Sequence, residues 1–197
     1  YRTTYSIDST KADILIFGAS RANHHYHPQV FESKFGGTYY NVGRDGNYII
    51  YHYAILKSIL KRYTPKLIIL DIVHYEFAKD KNSYDRLSAL LPYYESHPEM
   101  RPLIELRGKY ERVKLFSQIY PFNSLLTTIV VGNLNLNKAR KSDIKGYVPL
   151  FKEWPKPLEF DTNLNDYLLD NTKIRIFESF LRDCKNSNVN LIVAVSP

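Results

Sequence analysis

The chain has 197 residues, 44% of them hydrophobic and 24% charged, which excludes a disordered chain and suits one well-buried domain rather than two. A net charge of +7 invites a nucleic-acid reading, but the basic residues are scattered. The densest cluster, Lys138-Ala139-Arg140-Lys141, lacks base-stacking neighbours and reads as a solvated loop.

Cys184 is the only cysteine, so an internal disulfide and a cysteine-based zinc site are excluded, and its helical surroundings make it a small helix-face residue. No apolar run reaches the ~18 residues of a membrane helix, and no signal-peptide pattern opens the chain. A start at Tyr1-Arg2-Thr3-Thr4 reads as an excised fragment from which a targeting segment was removed. The 17 tyrosines have two readings: a surface for sugar or protein contacts, or the rim of the core.

Residues 1–11 are polar and predict an extended lead-in. The first predicted strand, 12–18, is nearly all apolar, as a strand covered on both faces of a parallel sheet would be. Gly18-Ala19 permits a sharp turn, and Ser20 then stands just past the strand's carboxyl end, the edge where open α/β sheets bind ligands. Alone, Ser20 reads either as a nucleophile on a rigid elbow or as a helix N-cap. Pro28 predicts a helix over Gln29 to Lys34, stopped by Gly36-Gly37. A short strand over 38–42, a turn at 43–47, and a helix from Tyr48 to Tyr63 follow. Thr64-Pro65 ends that helix, and 66–73 is a third apolar strand. This alternation of strand and helix predicts right-handed crossovers and a parallel sheet.

From His74 to about Asn165 the pattern changes to short helices, at 84–94, 98–107, 109–119 and 122–132, broken by Pro and Gly. An irregular loop over 133–165 holds Trp154. So long an excursion between two strands is an insertion, read either as a lid over the sheet's carboxyl edge or as padding or an assembly surface. A helix over 166–185 and a strand over 190–195 complete the pattern within one domain, 1–197, and the stop on a buried strand predicts an incomplete sheet.

The runs Asp13-Ile-Leu-Ile-Phe-Gly18-Ala-Ser20-Arg21-Ala-Asn23, Tyr40-Asn41-Val-Gly43-Arg-Asp45-Gly46 and Lys66-Leu-Ile-Ile-Leu-Asp71 resemble the SGNH/GDSL hydrolases, especially their bacterial cell-envelope members. The likeness covers 12–77 closely and 166–197 by pattern. It implies a flavodoxin-like three-layer α/β/α fold with a central parallel sheet and a large, mostly helical insertion between strands 3 and 4. It also implies a serine esterase or acyltransferase working on acyl esters, often acetyl, of an envelope carbohydrate on the extracytoplasmic side. A membrane would be met only through a removed N-terminal anchor, and no cofactor, metal or nucleic acid is implied.

Ser20 matches the nucleophile, and Gly43 matches the glycine whose N–H helps form the oxyanion hole. Arg21, Asn23, Asn41, Asp45 and Tyr75 fall in or beside the matched blocks and are expected to meet substrate. Three departures stand out. Ala19 replaces the aspartate of the Gly-Asp-Ser block, Val73-His74-Tyr75-Glu76 replaces Gly-x-Asn-Asp, and the base-bearing Asp-x-x-His block is expected beyond Pro197. Without a base, serine is a poor nucleophile, so the 197-residue piece is expected to be nearly inactive. His74, oriented by Asp71 or Glu76, is the substitute base, against the plainer reading of a structural hydrogen-bonder.

His24, His25 and His27 lack metal-site spacing and read as a polar loop; His52 and His97 read as surface residues. A non-catalytic glycan- or protein-binding module is the alternative on the same fold. A phosphate site at Gly43-Arg44-Asp45-Gly46 ranks last, because it lacks the glycine fingerprint and a Walker lysine.

Overall fold

The computed structural model describes residues 2–125, 130–131, 134, 143–151 and 168–195. Its elements in order are α1 (Arg2–Asp8), β1 (Ile14–Gly18), α2 (Ser20–His25), α3 (Pro28–Phe35), β2 (Tyr39–Asn41), α4 (Ile49–Arg62) and β3 (Leu67–Asp71). After these come α5 (Lys81–Asp85), α6 (Arg101–Ile104), α7 (Glu111–Lys114), α8 (Asn171–Asn186) and β4 (Asn190–Ala194), with 3₁₀ turns between α5 and α7 and at Tyr120–Leu125.

The strands form one parallel sheet in the order β2-β1-β3-β4. That order and the helices on both faces make the three-layer α/β/α arrangement the sequence predicts. Gly18, Asp71 and Ala194 lie level in register, so β1, β3 and β4 all end at one edge.

Side chains alternate across the sheet, as the pleat requires. Leu15, Phe17, Ile68 and Leu70 join the larger core with residues of α1, α4 and α8. Phe180 of α8 meets Phe17 edge-on at 5.7 Å. Ile16 and Ile69 point the other way, into a smaller cluster with Ala22 of α2, Tyr39, Tyr26 and Phe31. Asp170 caps α8 by accepting from the N–H groups of Thr172 and Lys173, and it also accepts from the Tyr84 hydroxyl at 2.7 Å. Asp170→Ala should therefore cost about 1–2 kcal/mol in urea unfolding.

Several expectations change. The lead-in is helical: Thr3, Ser6 and Ile7 of α1 are buried, and α1 packs on α4. Helix α2, which no periodicity announces, starts at Ser20 itself. His52 is 1% exposed on the inner face of α4 rather than at the surface, and burial pushes its pKa down to about 4. His97 is held between Asp8 at 3.1 Å and Glu99 at 3.0 Å, linking α1 to the segment after α4.

Leu87, Leu90, Leu91, Met100, Leu103, Ile104 and Leu115 of the insertion belong to the same core as α4. That part is wall, not lid. Many tyrosines do form a core rim, their hydroxyls donating to carboxylates, as Tyr53 does to Asp183 at 2.8 Å and Tyr94 to Glu105 at 2.6 Å. Cys184 lies on α8 as expected and is buried there, and burial pushes its pKa up to about 12. Trp154, the Lys138–Lys141 cluster and most of the 133–165 loop lie outside the described residues. Among the described residues no helix is long and apolar enough to cross a membrane.

Candidate functional site at the carboxyl edge of the sheet

Ser20 is exposed and is the first residue of α2, directly after the β1 turn. Ala19 occupies the N-cap position, so Ser20 is not the cap. Among the described residues its hydroxyl has no hydrogen-bond partner.

The loop after β2 packs against α2 from the side. A Cβ on Gly43 would stand 2.8 Å from the Asn23 nitrogen and 2.9 Å from Ala22 Cβ. Glycine is therefore required here by the close contact with α2. The Gly43 N–H, expected as an oxyanion donor, already donates to Asn41 Oδ1 at 2.9 Å. Asn41 is 1% exposed and also donates to the carbonyls of Ala22 and Tyr26, at 2.6 and 3.1 Å. It fastens β2 to α2, with its side chain engaged by Ala22, Tyr26 and Gly43.

Asn23, 3% exposed, donates to Asp45 Oδ1 at 2.7 Å and accepts from Arg2 at 2.6 Å. Arg2 also donates to the carbonyls of Gly43 and Gly146. Asp45 faces His24 Nε2 at 3.0 Å, and His24 Nδ1 lies 2.7 Å from the Val148 carbonyl. Val148 belongs to a strap, residues 143–148, that runs across β2 and α2. Asn41 donates to the Lys145 carbonyl at 2.9 Å and Val148 to the Asn23 carbonyl at 3.1 Å, while the Lys145 ammonium pairs with Glu32 at 2.6 Å. Tyr147 adds a ring contact with His27 at 4.7 Å.

After β3, His74 and Tyr75 are exposed, their rings edge-on at 4.6 Å, and Tyr48 approaches Tyr75 at 6.2 Å. The Asp-x-x-His spacing does occur within the chain, as Asp71-Ile72-Val73-His74. Asp71 is 1% exposed, and both its carboxylate oxygens are buried with no hydrogen-bond partner among the described residues. Glu76 turns inward instead, accepting from the Ile49 N–H at 2.6 Å and the Val73 N–H at 3.5 Å. Neither carboxylate orients His74 as expected.

Thus Asn23, Asn41, Gly43 and Asp45 come together, with Ser20 at their rim and His74 and Tyr75 on the next strand's loop. Arg21, on the first turn of α2, is partly buried. Sequence reasoning missed Arg2 and the His24–Asp45 pair. The i, i+4 spacing of Ser20 and His24 was the available signal, since such residues share a helix face. Among the described residues no three His, Cys, Asp or Glu side chains converge as a metal site. Comparison with protein-family models, with curated proteins and with solved structures finds no match to this chain.

Proposed function

We propose that the chain is an SGNH-like acyl-transfer domain: a serine esterase or acyltransferase acting on acyl esters, principally acetyl, of an envelope carbohydrate. The observation that carries this reading is the placement of Ser20. It is exposed at the carboxyl edge of a parallel sheet, on the turn from β1 into α2, with no hydrogen bond among the described residues holding its hydroxyl. A nucleophile needs that combination of access and rigid support.

The Ser20 N–H is the oxyanion donor in this reading, and the Gly43 N–H joins it only if Asn41 lets go. An extracytoplasmic location, and a membrane anchor outside this chain, come with the same reading. The non-catalytic glycan- or protein-binding module keeps one observation in its favour, the engagement of the Gly43 N–H by Asn41.

A fluorophosphonate probe and p-nitrophenyl acetate test the choice. Labelling and slow ester turnover that disappear in Ser20→Ala are the expected result. Saccharide binding unchanged by Ser20→Ala, with no labelling of either protein, would favour the binding module.

A further inference from the structure

We infer that His24, oriented by Asp45, is the general base for Ser20, and that the Val148 carbonyl blocks it in the state seen here. This rests on Ser20 being the nucleophile, the reading proposed above. Glu76 is spent on the Ile49 N–H and the Asp71 carboxylate bonds to no described residue, whereas His24, on Ser20's own helix, is paired with Asp45 of the loop after β2. Ser20 and His24 are four residues apart on α2. Helical side chains lean toward the N-terminus, so a residue at i+4 lies over the one at i.

The pair is built, not incidental. Asp45 is held by Asn23 at 2.7 Å, and Asn23 is held by Arg2 at 2.6 Å. A base oriented by a carboxylate, which is itself anchored, is what activation of a serine requires. Nε2 faces Asp45 at 3.0 Å, which would leave Nδ1 to take a proton. Instead Nδ1 lies 2.7 Å from the Val148 carbonyl. Both ring nitrogens then face acceptors, and neither offers Ser20 a lone pair. The blocking carbonyl sits on the 143–148 strap, whose exposed anchor is the Lys145–Glu32 ion pair at 2.6 Å.

Withdrawal of Val148 would free Nδ1. As Ser20 Oγ bonds to the acyl carbon, Nδ1 takes the hydroxyl proton. The bond from that carbon to the sugar oxygen then breaks, and the imidazolium returns the proton to the departing oxygen. Water or a carbohydrate hydroxyl next attacks the carbonyl carbon of acyl-Ser20, losing its proton to His24; the bond from that carbon to Ser20 Oγ breaks and the imidazolium returns the proton to Oγ. The products are the free acid or a new ester, with Ser20 restored.

The experiment measures the rate of fluorophosphonate labelling of Ser20 in the full chain, with circular dichroism confirming that each variant is folded. His24→Gln keeps a donor for the Val148 carbonyl yet cannot serve as base, and should slow labelling about 100-fold or more. Asp45→Asn should slow it as well. Free imidazole should restore labelling in His24→Ala, which a merely structural role would not produce. Lys145→Ala, by loosening the strap, should speed labelling several-fold. Wild-type rates in His24→Gln, or loss confined to His74→Gln, would overturn the role of His24 while leaving Ser20 as nucleophile. An unchanged rate in Lys145→Ala would overturn the blocking contact. Absence of Ser20-dependent labelling in every variant would overturn the nucleophile reading itself, and this inference with it.

Discussion

Gly18→Ala should destabilise the protein by about 4 kcal/mol, seen as a large fall in the urea midpoint, because backbone strain and overpacking each add roughly 1–3 kcal/mol. Gly18 has φ +139°, a conformation that side chains rarely adopt. A Cβ there would stand 2.3 Å from the Asp71 carbonyl oxygen and 2.9 Å from Ala22 Cβ. The Asp71 oxygen cannot step aside, since Asp71 is fixed between Gly18 and Ala194 in the sheet register. Relief would have to come from the β1 turn, two residues before Ser20. Domain stabilities are typically about 5–15 kcal/mol, so such a loss takes a large share of the total. The same substitution should disturb Ser20 even in molecules that remain folded. A cost below about 1 kcal/mol would contradict the close approach of β1, β3 and α2.

How much of this was legible in the chain depends on where the apolar residues fall. Strands β1 and β3 could be read because both faces are covered, so their sequences are nearly unbroken apolar runs. Helix α1 could not, because it buries Thr3 and Ser6 alongside Ile7 and leaves no hydrophobic period. Helix α2 is six residues long, and its inward polar groups, Asn23 and His24, satisfy a network and not an apolar core. The burial of His52 was legible in principle: it lies three residues from both Ile49 and Ile55, on the inner stripe of α4.

Within the site, resemblance singles out Ser20 and Gly43, but their surroundings depend on distant pairings. Arg2 reaches Asn23 and Gly43, and Val148 reaches His24 across 124 positions in sequence. That α2 packs against Gly43 and leaves no space for a side chain was not legible in the sequence. Asp71 and Glu76 were equally plausible partners for His74 by spacing alone. Only the fold shows that Glu76 spends its oxygens on backbone N–H groups at the start of α4 and after β3.

That placement of Glu76 dictates how stability should vary with pH. The side chain is buried, 3% exposed, and burial pushes its pKa up from 4.5 to about 7. Between those two values the folded protein keeps a proton that the unfolded chain gives up. Stability must therefore fall as pH rises through this window, by about 3 kcal/mol in all, and this contribution levels off above pH 7. Lys173 acts in the opposite sense at higher pH. Its ammonium is buried, donating to the Ala78 carbonyl at 2.8 Å, and burial lowers its pKa from 10.5, so its contribution improves as pH rises toward that value.

Urea unfolding of the wild type at pH 4.5, 6 and 7.5 should show the falling limb. In Glu76→Gln the amide oxygen can still accept from Ile49, but nothing titrates, so the limb should flatten. The variant should match wild type near pH 4.5 and exceed it by about 3 kcal/mol at pH 7.5. Glu76→Ala would behave differently, because it strands the Ile49 N–H in the core at a cost of about 1–3 kcal/mol. Parallel pH curves for wild type and Glu76→Gln would mean that Glu76 is solvated in the folded protein. The loop that carries His74 and Tyr75 would then lack the buried anchor at its base.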